Sequence, residues 1–402
     1  MSSRVHLSVP HMSGHEQQYV AEAFASNWLS SVGPNLDRFE EEVAGRLGEG
    51  VSTLAVASGT AALHLILRWL GVGPGDRVAV STLTFAGSVF PIMYLGATPV
   101  FIDSERESWN IDPSLVREYL RTAAAAGTLP KALVAVHLYG QHCDIDAIAE
   151  ACREYGVPLV EDAAESLGGT YRGRQTATTA DYSLLSFNGN KIITTTAGGM
   201  VVARSAEAIA VMRKWSTQAR EPAAEYVHHE LGYNYRMSNV LAGIGRGQLQ
   251  VLDERVAQRR AVAERYAAAF GMMCGASLQP ESSWGLHTRW LTVAILDPRQ
   301  TGVRPNEVVE VLGRSEIEAR PVWRPMHTQP LFADAPRVGG TVAEELFASG
   351  VCLPSSSSLP ASDQARVIES LQRCLAAGQS PRQDGARSAM APAHHRRGSS
   401  AA

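Results

Sequence analysis

The chain has 402 residues, 45% of them hydrophobic, and a formal net charge of −4 at pH 7. These values predict a globular protein in two domains, or in one large and one smaller domain, with no general attraction to nucleic acid or anionic lipid. Five cysteines without a C-x-x-C pair favour a reducing compartment over a disulfide framework. The chain opens without an apolar signal core, so we expect a cytoplasmic protein.

Short β-rich runs alternate with helical stretches from about residue 50. The run TLAVAS leads to the helical AALHLILRWLG, and ALVAVHL and PLVEDAA follow later, each next to a helical stretch. DYSLLSF is expected to pair with GGMVVAR. Strands separated by helices of this length predict an α/β fold with a mainly parallel sheet, whose ligands bind at the carboxyl ends of the strands.

The uncharged run 78–102 is long enough to raise the question of a membrane span. Polar residues and two prolines interrupt it, whereas a spanning helix needs about 20 apolar residues in a row. We interpret it as strand (RVAVST), helix (FAGSVFPIMYLGA) and strand (TPVFID) inside the core, and expect no membrane partner.

Residues 238–270 are predicted to form one long helix, in which Gly243, Gly245 and Gly247 permit close packing because no strand precedes them to make a phosphate loop. A smaller α/β unit follows. We place a large domain at 1–250, including the N-terminal segment, and a small C-terminal domain at 251–379. The small, polar and basic stretch 380–402 is predicted to be a disordered tail.

Three features along the predicted sheet could carry chemistry. Ser58, Gly59 and Thr60 lie where a strand turns into a helix, where they provide either a phosphate site or an ordinary N-cap. Glu161 and Asp162 end an apolar strand, where a carboxylate can cap a helix, bind a metal or hold a protonated ring nitrogen.

Lys191 is one of three lysines in the chain, and no charged residue occurs at 182–190 or 192–203. Such a lysine either points to water from a turn or is desolvated, and desolvation lowers a lysine's pKa enough for Schiff-base chemistry. Together, a phosphate site, a carboxylate and a lysine in this order are the parts that hold pyridoxal phosphate. Asp162 would bind the ring nitrogen and Lys191 the aldehyde.

Several motifs also resemble a known family. ASGTAALHL, VHLYGQ, EDAAESLGGTYRG, SFNGNKIITTTAGGM and LGYNYRMSNVLAGIGRGQL are similar to segments of the DegT/DnrJ/EryC1/StrS aminotransferases, which act on sugars. The resemblance implies the fold-type I architecture of pyridoxal phosphate-dependent transferases, across nearly all of residues 10–375. SFNGNKIITT and RPVWRPMHTQPLF resemble most the enzymes that aminate UDP-linked 4-keto-6-deoxy-hexosamines on the way to bacillosamine-type sugars.

The resemblance implies a role for each matching residue. Gly59, Thr60 and Ser186 match the phosphate-binding groups, and Phe85 matches the aromatic that stacks on the cofactor ring. Asp162 matches the partner of the ring nitrogen, and Lys191 matches the Schiff-base lysine. Asn234 matches a phosphate ligand that is given across a dimer interface, which implies a homodimer with shared active sites.

Other positions depart from the family pattern or are less specific. Glu165 stands where many relatives have glutamine or histidine near the ring hydroxyl, and a carboxylate there would repel a phenolate unless it is protonated or hydrogen-bonded. His327 and Arg324 are either substrate contacts or surface groups. No metal is expected, because the spacing of the histidines and cysteines at 137–152 matches no zinc pattern.

The resemblance implies an aminotransferase that moves an amino group from L-glutamate to a keto-sugar nucleotide, in the biosynthesis of amino sugars or polysaccharides. The alternatives are a 3-keto or dTDP-linked sugar, a keto-inositol, or a non-catalytic sensor or assembly protein of the same fold. Family dehydratases have histidine in place of the lysine, so Lys191 argues against that activity. The sugar carbon, the nucleotide and the pathway stay open.

Overall fold

The computed structural model describes residues 4–379 of the protein. Its strands are, in chain order, β1 (Ser52–Val56), β2 (Arg77–Ser81), β3 (Thr98–Ile102), β4 (Ala132–Val136), β5 (Leu159–Asp162), β6 (Thr170–Tyr171), β7 (Arg174–Gln175), β8 (Tyr182–Ser186), β9 (Gly199–Ala203), β10 (Ala276–Leu278), β11 (Gly285–Leu286), β12 (Thr292–Leu296), β13 (Arg320–Pro321), β14 (Arg337–Val338) and β15 (Gly350–Leu353).

Its α-helices are, in chain order, α1 (Glu16–Ala25), α2 (Pro34–Leu47), α3 (Gly59–Trp69), α4 (Phe90–Tyr94), α5 (Pro113–Ala125), α6 (Ile145–Glu154), α7 (Ala206–Ser216), α8 (Asn239–Leu249), α9 (Leu252–Phe270), α10 (Pro298–Thr301), α11 (Pro305–Arg314), α12 (Val342–Ser349) and α13 (Ala361–Gln379). The predicted tail, 380–402, lies outside the described residues.

An eight-stranded sheet forms the centre, in the order β1-β9-β8-β5-β4-β2-β3-β14. Neighbours from β8 to β14 are parallel, and β9 runs antiparallel to both β1 and β8. The mainly parallel α/β fold and the pairing of SLLS with GMVV are therefore confirmed. The carboxyl ends of β2, β4, β5 and β8 meet at one edge of this sheet, and the site lies there.

Helices cover both faces of the sheet. Val78 and Val80 pack in the core beneath α3, whereas Ala79 between them packs in the core beneath α5 and α6. A sheet that is buried on both faces needs apolar residues at successive positions, which is why its strands read as uninterrupted apolar runs. The run 78–102 is explained by this burial, although its predicted helix is only a 3-10 turn followed by the short α4. Among residues 4–379, no helix has the length and apolar character needed to cross a membrane.

The C-terminal part has its own core and an antiparallel sheet in the order β10-β12-β15-β13. Two exchanges tie it to the large sheet. Val5 pairs with Ile317 and packs in the C-terminal core, and β14 adds a parallel strand beside β3. The division at residue 250 stays a prediction, and these exchanges show that each part borrows a segment from the other.

The prediction of one helix over 238–270 is wrong at Gln250 and Val251, where α8 ends and α9 begins. Val251 has φ −113° and ψ 13°, outside helical values. The two helices bury different faces, because α8 packs against α1 and α2 while α9 packs in the C-terminal core. Apolar residues recur at helical spacing through residues 250 and 251, so the sequence pattern gives no sign of the break between α8 and α9.

The packing role predicted for the α8 glycines is confirmed, and Gly245 gives a test of it. A Cβ on Gly245 would lie 2.7 Å from Cζ of Phe39, whereas a Cβ on the exposed Gly45 of α2 would meet nothing within 4 Å. Gly245→Ala should therefore lower the free energy of unfolding by about 1–3 kcal/mol, and Gly45→Ala should raise it by about 0.5–1 kcal/mol. Urea denaturation of both variants measures this, and equal effects would contradict the close helix packing.

Candidate active site

A cavity of about 270 Å³ opens at the carboxyl edge of the large sheet. The N-terminus of α3, the loop after β2, the end of β5 and the loop between β8 and β9 form its walls, and residues of the C-terminal part close it. Of the residues predicted from sequence, those that line it are Gly59, Thr60, Phe85, Asp162, Glu165, Ser186 and Lys191.

The first wall is the N-terminus of α3. Ser58 has an extended backbone and accepts the N–H of Ala61 at 3.0 Å, so it is an ordinary N-cap. Gly59 and Thr60, in the first turn, present the positive end of the helix to the cavity, with the side chain of Ser186 close to Gly59. The N-cap interpretation is thus confirmed at Ser58, and phosphate binding by Gly59 and Thr60 stays a prediction.

The two carboxylates at the end of β5 have separate roles because successive strand residues point to opposite faces. Glu161 is buried away from the cavity, where it lies 2.9 Å from Nε2 of His137 and accepts the N–H groups of Thr179 and Ala180. Burial alone would raise the pKa of Glu161, but these hydrogen bonds hold it below its usual value.

Asp162 faces the cavity and is held rigidly. Its Oδ2 accepts from the Ser88 hydroxyl at 2.6 Å, and its Oδ1 accepts from the Ala164 N–H at 3.1 Å. Ser88 is itself 2.8 Å from the Thr84 hydroxyl. These donors fix the carboxylate in one orientation, which suits it to bind a cationic ring nitrogen.

Lys191 lies inside the cavity rather than in water, with a side chain that is 13% exposed. Its Nζ is 3.2 Å from Oε1 of Glu165, which is 3% exposed, and 3.9 Å from the centre of the Trp290 ring. Oε2 of Glu165 accepts the N–H of Tyr139 at 2.7 Å. Burial raises the pKa of Glu165 to about 7, although the Lys191 charge opposes this shift.

Aromatic rings form the wall on the C-terminal side. Trp323 lies 5.9 Å from Phe85 and 4.8 Å from Tyr139, measured between ring centres, and 6.1 Å from Trp290. Phe85 is 60% exposed although it is a large apolar side chain at a cavity. An exposed aromatic in this position offers a free face on which a planar ring can stack.

The residues present fit pyridoxal phosphate. Gly199 lets β9 pack directly against the start of α3, where a Cβ would lie 2.3 Å from the Gly59 nitrogen. The same cavity joins this helix N-terminus, a rigid carboxylate and a desolvated amine. These are the three groups that a phosphate, a protonated pyridine and an aldehyde require.

Three predicted residues stand elsewhere. Asn234 is exposed and lies outside the cavity lining. His327 lies 2.6 Å from the Thr82 hydroxyl and 3.1 Å from Oε1 of Glu344, and the exposed Arg324 donates to the Thr328 hydroxyl at 3.0 Å. Neither is part of the described cavity lining, so their substrate roles stay predictions.

The sequence reasoning missed several residues that line the cavity, namely Ser88, Asn188, Asn190, Trp290, Arg320 and Trp323. Asn188 and Asn190 flank the lysine in SFNGNK, so their position could have been read from the motif. Trp290 and Arg320 lie about 100 residues or more beyond Lys191, and no local pattern indicates that the C-terminal part brings them back.

This geometry defines a pyridoxal phosphate-dependent enzyme, and comparison with known proteins specifies the family. Residues 10–372 match the model of the DegT/DnrJ/EryC1/StrS aminotransferase family. The chain is 49% identical over 375 residues to EpsN of Bacillus subtilis (strain 168), which is named as a pyridoxal phosphate-dependent aminotransferase, covering 92% of this chain and 96% of EpsN. It is 36% identical to the GDP-perosamine synthase of Caulobacter vibrioides, covering 92% of this chain and 98% of that one.

A solved structure of another protein has the same fold. The fold superposes on DesI, determined in the presence of its TDP-sugar product, with a TM-score of 0.85, 26% identity and coverage of 94% of this chain and 95% of DesI. The protein belongs to the DegT/DnrJ/EryC1/StrS aminotransferase family and is a pyridoxal phosphate-dependent aminotransferase. The predicted family, fold class, enzyme class and cofactor are confirmed.

The raised pKa of Glu165 predicts a pH-dependent loss of stability in the cofactor-free protein. Between about pH 4.5 and about pH 7 the folded protein holds the Glu165 proton and the unfolded chain loses it, so Glu165 lowers the free energy of unfolding as the pH rises. Glu165→Gln should remove up to about 3 kcal/mol of this decline. Denaturant titrations across this range measure the slope.

The exposed Glu264 of α9 supplies the matched control, because Glu264→Gln makes the same chemical change outside the cavity. We expect Glu264→Gln to keep the wild-type slope. A Glu165→Gln variant with that same slope would contradict the burial of a protonated carboxyl group beside Lys191.

Proposed function

We propose that this aminotransferase moves an amino group from L-glutamate to a nucleotide-linked 4-keto-6-deoxy sugar. The sugar class is supported by the names of the relatives, two of which refer to perosamine synthesis and to a TDP-sugar product. The resemblance of SFNGNKIITT and RPVWRPMHTQPLF supports the 4-keto-6-deoxy substrate. The predicted cytoplasmic location stays a prediction.

One observation carries the sugar assignment, namely the amide, aromatic and guanidinium side chains that line the cavity besides the groups proposed to hold the cofactor. Asn188 and Asn190 offer amide groups to hydroxyls, and Trp323 offers an apolar ring to a sugar face. Arg320 lines the same side and its guanidinium, 67% exposed, lies 3.0 Å from Oε1 of Glu318. A guanidinium at the mouth suits a diphosphate.

Each cavity residue has a definable task in such a reaction. When bound, pyridoxal phosphate supplies an acceptor for the electrons of a substrate carbanion. Asp162, which Ser88 and Ala164 hold in one orientation, would bind the protonated ring nitrogen of the cofactor. The Nζ atom of Lys191 would take a proton from the α-carbon of the donor and return it to the cofactor carbon that carried the aldehyde, acting as base and then as acid.

The assignment is tested by incubating the protein with pyridoxal phosphate, L-glutamate and a panel of 3-keto and 4-keto sugar nucleotides. We expect 2-oxoglutarate to form with a 4-keto-6-deoxy substrate, and borohydride trapping with peptide mapping to tag Lys191. Lys191→Gln should reduce turnover by at least about 10³-fold, because it removes the amine that is proposed both to bind the cofactor aldehyde and to carry the proton. Product with only a 3-keto sugar or a keto-inositol would select that alternative, and no cofactor cycling with glutamate would favour a non-catalytic protein.

We also propose that the protein is a homodimer in which Asn234 enters the partner's site. The exposure of Asn234 outside the cavity lining of its own chain is consistent with this role. Lys191→Gln and Asn234→Ala variants should each be inactive at limiting cofactor, whereas a mixture that exchanges subunits should recover about a quarter of the sites. Turnover of the mixture measures this, and no recovery after verified exchange would contradict shared sites.

A further inference from the structure

Glu165 is a buried carboxyl group at the position that the family resemblance puts near the ring hydroxyl, and it also faces the reactive amine. It follows β5 by three residues, lines the cavity and is 3% exposed. Its two oxygens have different partners, since Oε1 lies 3.2 Å from Nζ of Lys191 and Oε2 accepts the N–H of Tyr139 at 2.7 Å. One oxygen is therefore anchored to the main chain and the other faces the reactive amine.

A strained turn in another segment, Leu138–Gly140, holds this carboxyl group in place. Tyr139 has φ 56°, which is uncommon for a residue with a side chain, and this conformation aims its N–H at Glu165. The Thr288 hydroxyl donates to the Glu165 carbonyl at 2.9 Å. A Cβ on the adjacent Gly140, at φ 100°, would lie 2.0 Å from the Thr288 hydroxyl oxygen. The turn and Glu165 are thus locked together.

The pKa of Glu165 is the result of opposing effects. Burial raises its pKa to about 7, the Lys191 ammonium and the Tyr139 N–H lower it, and the Asp162 carboxylate raises it. The thiol of Cys352 and the hydroxyl of Tyr139 are the other titratable groups that face it, and burial raises the pKa of both. Near neutral pH, neither the proton-bound nor the proton-free carboxyl group is strongly favoured.

We infer that Glu165 is a positioning residue that holds the proton of Lys191 while the amine acts as nucleophile and base. The step is a transfer between two adjacent atoms, in which the ammonium of Lys191 and the carboxylate of Glu165 become a neutral amine and a neutral carboxylic acid. No charge enters or leaves the cavity, and the proton returns when the amine is next protonated. This role rests on the proposed action of Lys191 as the proton carrier.

The pairing is testable in cofactor-free protein by infrared spectroscopy of the protonated carboxyl group as a function of pH. Glu165→Gln should remove one band that titrates near neutral pH. Lys191→Met should keep this band and move its midpoint upward by about 1 pH unit or more, because the cation that lowers the pKa of Glu165 is gone. Glu165→Asp, which withdraws the carboxyl group by one methylene, should keep a band whose midpoint depends less on Lys191.

Glu105 gives the matched control, since burial also raises its pKa while it lies outside the cavity lining. In Glu105→Gln the midpoint that depends on Lys191 should be unchanged. A midpoint that Lys191→Met does not move, or a neutral-pH band that survives in Glu165→Gln, overturns the inference.

A second measurement separates this inference from the proposed function. The protein is loaded with pyridoxal phosphate, and visible absorbance follows the loading. Because the cofactor engages the Lys191 amine, the infrared band of the protonated carboxyl group should increase in wild-type protein and in Glu105→Gln. It should not increase in Glu165→Gln. Loading without this increase overturns only the role of Glu165. Failure to load overturns the cofactor assignment, and the inference falls with it.

Discussion

The close approach of two main-chain segments at one edge of the sheet is the constraint on which the site depends. Gly199 is the first residue of β9, and it pairs with Val56 of β1 on one side and with Ser186 of β8 on the other. A Cβ at this position would lie 2.3 Å from the Gly59 nitrogen. Only a glycine lets β9 pack this close to the start of α3. This packing places the helix start beside Ser186, at the proposed phosphate site.

The same close approach fixes the lysine. Residues 187–198 leave β8 and return to β9 at the same edge, so Lys191 is carried on a loop whose two ends are pinned next to the proposed phosphate site. Within this loop the Phe187 N–H donates to the Gly198 carbonyl at 2.9 Å, and the Thr195 N–H donates to the Phe187 carbonyl at 2.9 Å. A loop that is hydrogen-bonded to itself in this way holds the amine in place without help from a ligand.

The chemistry of the position explains why it is a lysine. The chain has three lysines among 36 basic residues, so arginine, with 33, supplies most of its positive charge. Arginine makes most of the surface ion pairs, although Lys214 pairs with Glu221 and Glu230. Arginine is also buried in the core at Arg259, whose guanidinium donates to the carbonyls of Trp290 and Ser355. An arginine does not lose its proton readily, whereas a lysine amine can serve as a nucleophile and a base, which the chemistry proposed for position 191 requires.

The sequence was sufficient to predict the cofactor end of the site, because each of its groups follows a strand within a few residues. Glycine, hydroxyl, carboxylate and lysine at strand ends are local patterns, and the parallel sheet then gathers them at one edge. Trp290, Arg320 and Trp323 could not be predicted in this way, since their approach depends on how a separate antiparallel sheet packs against the first. The break between α8 and α9 was missed for a similar reason, because two packing partners and not the apolar period set it.

The cavity is lined by residues from both the large sheet and the C-terminal part. The groups proposed to bind the cofactor and move protons are carried by the large sheet and the loops at its edge, whereas Trp290, Arg320 and Trp323 belong to β13 or lie next to β12 or β13. Trp290 and Leu291 share one core with Phe187 and Ile192 of the loop that carries Lys191, so the two sets pack against each other and function depends on the side chains they bring together rather than on the fold alone. Family membership therefore establishes the chemistry of this protein more firmly than its substrate. Of the residues proposed to contact the sugar nucleotide, Trp323 and Arg320 come from the C-terminal part, whereas Asn188 and Asn190 come from the loop that carries Lys191.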